Sequence, residues 1–309
     1  MIDSDRSLST ERVLALARLA PFQILSAEEL SLIALAGSEE VISRGTVLVA
    51  AGEQPSALHV PLSGELELSL AGARGSTAEN PARAAALALL GEVPLVADLV
   101  APAGTGLLVV PQDALVALLE EHGQLCRNLL GALAARLRAW GGGRGPTFRV
   151  SRGPLSTQSD LFSRMLVFRK LLGPGGGGMT AVARFARVAR ELRLEPGATI
   201  TPSSDQADVL VLTQGSLRFL RTDGTEHLAR AGEVVGLVEA IVGVAFATEA
   251  AALVPTTMLA VSAAELAQAV EDEDLLSLAL VRGFAAELAA VTGASPPSFP
   301  EQDISKDVT

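Results

Sequence analysis

Histidine, cysteine and tyrosine, which serve acid–base, nucleophilic and metal chemistry, are scarce in this chain of 309 residues: three histidines, one cysteine and no tyrosine. A metal site on a β-roll would need His and Glu ligands converging from adjacent strands. His59 falls in an alternating stretch that reads as a strand, but no His-x-His partner stands near it. His122 belongs to a helical stripe and His227 follows the Asp223-Gly224 turn, so all three read as structural. Cys126 lies one helical turn from His122, but both sit on an apolar stripe, which makes them core. No Gly-Lys-Ser/Thr phosphate loop and no Gly-x-Ser-x-Gly elbow occurs. The expectation is a protein with no catalytic residues, no metal and no cofactor.

Two glycine-bearing turns stand out in the sequence. One is Gly91-Glu92; the other runs from Arg230 to Ala250 and contains Gly232, Gly236, Leu237, Glu239 and Phe246. An anion buried at either turn would need a charge-assisted partner, because desolvating it alone costs several kcal/mol. No Lys or Arg stands between Arg83 and Arg127, and none between Arg230 and Arg282. Backbone donors at a helix N-terminus replace only part of that charge. Arg83, in Asn80-Pro-Ala-Arg83-Ala-Ala, reads as an exposed loop residue, Glu239 as a rim charge and Phe246 as filler of a small core.

The elements that must hold these turns follow from periodicity. Residues 1–18 read as a helix, and Ser26 with Glu29 forms a capping box opening a second one that runs to about Ala36. Ser38–Leu70 alternates as strands, followed by a loop over Ala71–Arg83 and short apolar runs at Ala84–Leu90, Pro94–Val100 and Gly106–Val110. Asp113–Trp140 predicts one long helix with Leu115, Leu119, His122, Cys126, Leu129 and Leu133 along one side, a packing or dimer seam.

The second half repeats this order. Phe162–Leu172 is set against Leu14–Leu25, and Thr180 is read as capping a helix through Glu191. Gly197 matches Gly45, Gln214-Gly215 matches Ser63-Gly64, and Gly236 matches Gly91. The register moves only where loops differ, at Gly173–Gly178 and at a tight Asp223-Gly224 hairpin, as an internal repeat requires. Ser262 and Glu265 form a second capping box before a last helix carrying Leu276, Leu280, Phe284 and Leu288.

In this order the two halves resemble cyclic-nucleotide-binding domains. The likeness is carried by Leu19-Ala-Pro-Phe22, Leu25-Ser-Ala-Glu-Glu-Leu30, Gly45-Thr-Val-Leu48, Ala51-Gly-Glu53, Leu58–Leu66 and the Gly-Glu turn, and covers about residues 14–140 and 162–290. The resemblance implies a mainly β fold with flanking helices (α+β): two antiparallel β-roll or jelly-roll domains (double-stranded β-helices), each ending in a long helix. In that family a Glu after the cassette glycine holds the ribose hydroxyl and an Arg pairs with the cyclic phosphate. Here Leu237 stands at the Glu position and Phe246 at the Arg position of the second copy. The first copy keeps Gly91-Glu92 and is shorter where the Arg belongs. Gly91, Glu92, Gly236 and Phe246 are the ligand-binding residues if a pocket functions.

The expected domains are 1–140 and 161–292, with a linker at 141–160 and a disordered tail at 293–309. A formal net charge of −11 gives no nucleic-acid footprint, although Arg184, Arg187, Arg190 and Arg193 are read as one helical face. Nothing after Trp140 or Val291 offers a basic helix-turn-helix. One cysteine, no secretion signal and no apolar run long enough for a span fit a cytoplasmic protein without membrane insertion. The reading that results is a regulatory or scaffold protein. It acts on another protein, and on itself through its terminal helices, without cyclic nucleotide. The alternative is a sensor that binds a cyclic nucleotide or other small ligand in the first domain.

Overall fold

A computed structural model of the chain describes residues 2–70, 73–74, 80–140, 148–149, 160–172, 178–200, 209–220, 224–244 and 249–293. Most of the expected linker, the Gly-rich insertion before Gly178, Asp223, Phe246 and the expected disordered tail from residue 294 onward lie outside the described residues.

The chain begins with α1 (Ile2–Arg18) and α2 (Ala27–Leu35). The Ser26 hydroxyl accepts from the Glu29 N–H at 3.2 Å, and the Glu29 carboxylate accepts from the Ser26 N–H at 2.8 Å, so the capping box read from the sequence sets where α2 starts. Seven strands follow with one helix among them: β1 (Ser38–Val41), β2 (Thr46–Val49), β3 (Ala57–Ser63), β4 (Glu67–Leu70), β5 (Ala73–Arg74), α3 (Pro81–Leu90), β6 (Asp98–Ala101) and β7 (Gly106–Pro111). They pair antiparallel as β1-β7-β3 and β2-β6-β4-β5. The apolar run Ala84–Leu90 is helical, since alanine and leucine are strong helix formers and Asn80 caps its first turn.

Next come α4 (Gln112–Glu121) and α5 (Gly123–Trp140), so the single helix expected over Asp113–Trp140 is broken at His122. Gly123 follows the break, and glycine in a helix interior costs about 1 kcal/mol relative to alanine. The stripe itself is buried: Leu115, Leu119, Cys126, Leu129 and Leu133 are at most 1% exposed.

The remaining elements are β8 (Phe148–Arg149), α6 (Leu161–Leu172), α7 (Gly178–Val188), β9 (Arg190–Leu194), β10 (Thr199–Ile200), β11 (Val209–Gln214), β12 (Ser216–Leu220), β13 (Glu226–Arg230), β14 (Glu233–Val235), α8 (Leu237–Ile241), β15 (Glu249–Ala252), β16 (Thr256–Val261), α9 (Ala263–Asp272) and α10 (Asp274–Val291). Their sheets run β9-β16-β11-β14-β8 and β10-β15-β12-β13. The cores β9-β16-β11 and β10-β15-β12-β13 repeat the earlier pairing order strand for strand. Turn chemistry repeats as well. Gly64 after β3 and Gly215 after β11 hold φ of +75° and +82°, a region open to glycine, and each lies against a buried threonine, Thr105 or Thr256.

Three expectations change here. The helix expected through Glu191 ends at Val188, and Arg190–Leu194 is a strand paired to β16. Strand wins because Leu192 and Leu194 then pack on the apolar core of Leu210, Leu212, Phe219 and Met258. Arg184, Arg187, Arg190 and Arg193 therefore do not share a helical face; only the first two lie on α7. The last helix is also divided: Ser262 caps α9 by accepting from the Glu265 N–H at 3.2 Å, and Glu273 separates α9 from α10.

The chain forms two compact units. One holds the residues up to Leu118 together with those from Arg282 on; the other holds Leu119–Val281. In the first, Phe284 and Leu288 of α10 are fully buried. In the second, α5 packs on α8 and α9. Among the described residues no helix is long and apolar enough to cross a membrane.

Candidate functional site

The two glycine turns occupy opposite ends of their helices. Gly236 (φ +84°) is the N-cap of α8, whereas Gly91 (φ −82°) is the C-cap of α3. The sequence match of Gly236 to Gly91 is thus replaced by topology: α8 and α3 each enter the strand that pairs with β12 or β4, and the counterpart of Gly236 is the cap residue Asn80. The match fails because α3 is ten residues long and α8 five, a difference in helix length that a register moving only at loops does not include.

Around α3, Asn80 accepts the Arg83 N–H at 2.9 Å, and eight of the helix's ten residues are buried. Arg83 stands in the first helical turn and is half-buried, not on an exposed loop. Pro81 at the helix start and the following alanines favour this helix over a loop. At the other end, a Cβ on Gly91 would lie 2.5 Å from the backbone nitrogen of Ala286 and 2.7 Å from its Cα. The end of α10 therefore rests directly on this glycine. Glu92, with φ +52°, presents its carboxylate to the Arg282 guanidinium at 2.9 Å. The Glu92 carboxylate is engaged by the chain's own last helix.

Around α8 the chemistry is apolar. Leu237, Val238 and Ala240 are buried, and the strands beyond supply Leu210, Leu212, Leu217, Phe219 and Met258. Glu233 is buried and accepts the Arg230 N–H at 3.0 Å, which closes the turn at Gly232. Glu239 is 6% exposed, so it is an interior carboxylate of α8 and not a rim charge. It faces inward because the first turn of so short a helix is enclosed on most sides. Phe246 lies outside the described residues.

The histidines stay apart. His59 on β3 is buried, and its Nδ1 has no hydrogen-bond partner among the described residues. Burial pushes its pKa below the usual imidazole value, opposed by the Glu40 carboxylate and a hydrogen bond with the Ala57 backbone. His227 stacks on Phe219 with centroids 6.4 Å apart, and His122 sits at the α4–α5 break. Among the described residues no group of three or more His, Cys, Asp or Glu side chains is placed to hold a metal ion. The Arg282–Glu92 contact had no local signal: the partners are 190 positions apart.

No family model matches the chain, and no curated protein matches it. Among solved structures, the regulatory domain of Toxoplasma gondii PKA with cAMP is 16% identical, with 85% of this chain and 94% of that chain covered and a TM-score of 0.32. The regulatory subunit of a cAMP-independent protein kinase A from Trypanosoma brucei is 14% identical, covering 94% and 91%, at 0.31. The N-terminal domain of a transcriptional regulator from Streptomyces coelicolor A3(2) is 22% identical over 39% of this chain and 88% of that chain, at 0.32. All three are less than 25% identical to this chain.

Proposed function

We propose that the chain is a non-catalytic regulatory or scaffold protein made of two degenerate cyclic-nucleotide-binding-like domains. The repeat units are residues 1–140 and 161–292, joined by a linker and followed by the tail. It works in the cytoplasm by contact with another protein and with itself, without binding cyclic nucleotide or nucleic acid. The observation carrying this reading is the Glu92–Arg282 contact with α10 seated on Gly91. It is supported by the absence of any Lys or Arg from 231 to 281 and by the apolar interior behind Gly236. An anionic messenger there would be desolvated without a cation to pair with it.

The test is titration of the purified chain with labelled cyclic AMP, cyclic GMP and cyclic dinucleotides. No saturable signal is expected, and saturation at micromolar concentration or tighter overturns the reading. A pull-down with and without residues 294–309 then asks whether the tail recruits the partner. One observation favours the alternative of a ligand sensor in the first domain: Arg83 sits in the first turn of the helix that ends at Gly91. Binding that is abolished by Arg83→Ala would establish that alternative.

A further inference from the structure

Helix α6 is apolar on two sides, and the chain covers one of them. Val167 and Phe168 are buried, with the Phe168 ring 5.6 Å from that of Phe185 on α7. The opposite side carries Phe162, 69% exposed, then Leu166, 40% exposed, then Arg169, also exposed. Steps of four and three residues place these on one stripe. The Arg164 guanidinium donates to the Ala189 carbonyl at 2.7 Å, which brings the end of α7, with its exposed Arg187, beside the start of α6. Arg169 and Arg187 have no ion pair among the described residues.

Charge is distributed unevenly to match. Residues 160–193 hold seven Lys or Arg against two acids, a net of +5, within a chain of net −11, so the remainder carries −16; of the seven, Arg184 is paired with Asp272 and Arg193 with Glu191. We infer that this stripe adsorbs to an anionic phospholipid surface. Phe162 and Leu166 enter the boundary between headgroups and acyl chains, while Arg169 and Arg187 reach the lipid phosphates. A lipid surface receives protruding apolar and cationic side chains at different depths, whereas a protein partner needs a cavity shaped for Phe162. An isologous contact with a second copy would set this cationic face against its own like. The inference concerns adsorption, not spanning, and is independent of whether the cassettes bind a nucleotide.

The test is co-sedimentation of the full chain with vesicles of phosphatidylcholine alone or mixed with phosphatidylglycerol. Binding is expected to the mixed vesicles only, with release at about 0.5 M salt, where screening extends a few ångströms. Phe162→Glu with Leu166→Glu, and separately Arg169→Glu with Arg187→Glu, each weaken partitioning by roughly tenfold or more. Arg218→Glu, on the exposed β12–β13 hairpin, leaves it unchanged. Circular dichroism confirms that these surface variants fold. The inference is overturned by failure to bind mixed vesicles, by equal binding to neutral ones, or by variants that bind as the parent does. It is overturned equally if the Phe162/Leu166 variant converts a lipid-free dimer to monomer, which would make the stripe a self-contact.

Discussion

Replacing Gly91 by alanine tests the docking of α10 on the first unit, the contact on which the functional reading turns. The backbone at Gly91 is in the ordinary helical region, so alanine adds no conformational strain. On its own the change would stabilise by about 0.4–1 kcal/mol through the unfolded chain. Against that, the new Cβ would stand 2.5 and 2.7 Å from backbone atoms of Ala286 and 3.1 Å from the carbonyl carbon of Ala285. Carbon contacts settle at about 3.5–4.0 Å, so the helix must retreat by about 1 Å. Backbone inside a helix cannot rotate away as a side chain can. The retreat loosens Phe284, Ala285, Leu288 and Ala289, all at 0% exposure. Overpacking of this kind costs about 1–3 kcal/mol and exceeds the chain-entropy gain. Net of that gain the loss reaches about 2.6 kcal/mol, so at about 2–4 °C per kcal/mol the melting temperature followed by circular dichroism should fall by up to roughly 10 °C. Glu92→Ala removes only a pair with side chains about a third exposed, so its effect stays below about 1 kcal/mol. A Gly91→Ala variant that melts at or above the parent temperature would refute the packing argument.

Other outcomes follow from single sites. Gly131 lies within α5 with open space at its Cβ position, so Gly131→Ala should raise stability by about 0.5–1 kcal/mol in urea titration, and a loss would show a neighbour that the structure lacks. Glu287, on α10, has its pKa raised by burial. Its contribution to stability is therefore full below the ordinary carboxylate pKa and is lost as pH rises through the folded value. Glu287→Gln should melt higher than the parent at neutral pH, with the gap closing near pH 3–4; an unchanged gap across that range would exclude the carboxylate as cause. His59 has the opposite sign. With its folded pKa below the usual 6.5, stability is present above that value and declines as pH falls toward the folded pKa. Melting curves for His59→Leu between about pH 5 and 7 should lose part of the parent's slope, and identical slopes would assign it elsewhere.

Sequence patterns are legible where the determining contact is local. The Ser26–Glu29 box, the Ser262 cap and the β12–β13 hairpin around Gly224 are each fixed by groups a few residues apart. The apolar stripes from Leu115 to Leu133 and from Leu276 to Leu288 are equally legible, because helical period alone selects the residues to be buried. Short segments were harder. An apolar run such as Ala84–Leu90 suits either element by period, and Arg190–Leu194 became a strand only because β16 offered it an edge.

The amino-acid sequence by itself determined the turn glycines, the helix caps, the stripes and the want of cations between Arg230 and Arg282, since each depends on residue type or near neighbours. Tertiary structure alone decided that Gly91 closes a helix and meets the backbone of Ala286, and that Arg282 takes the carboxylate of Glu92. Those contacts join positions about 190 residues apart, and no period or propensity carries over such a distance; only folding brings them into van der Waals and hydrogen-bond range.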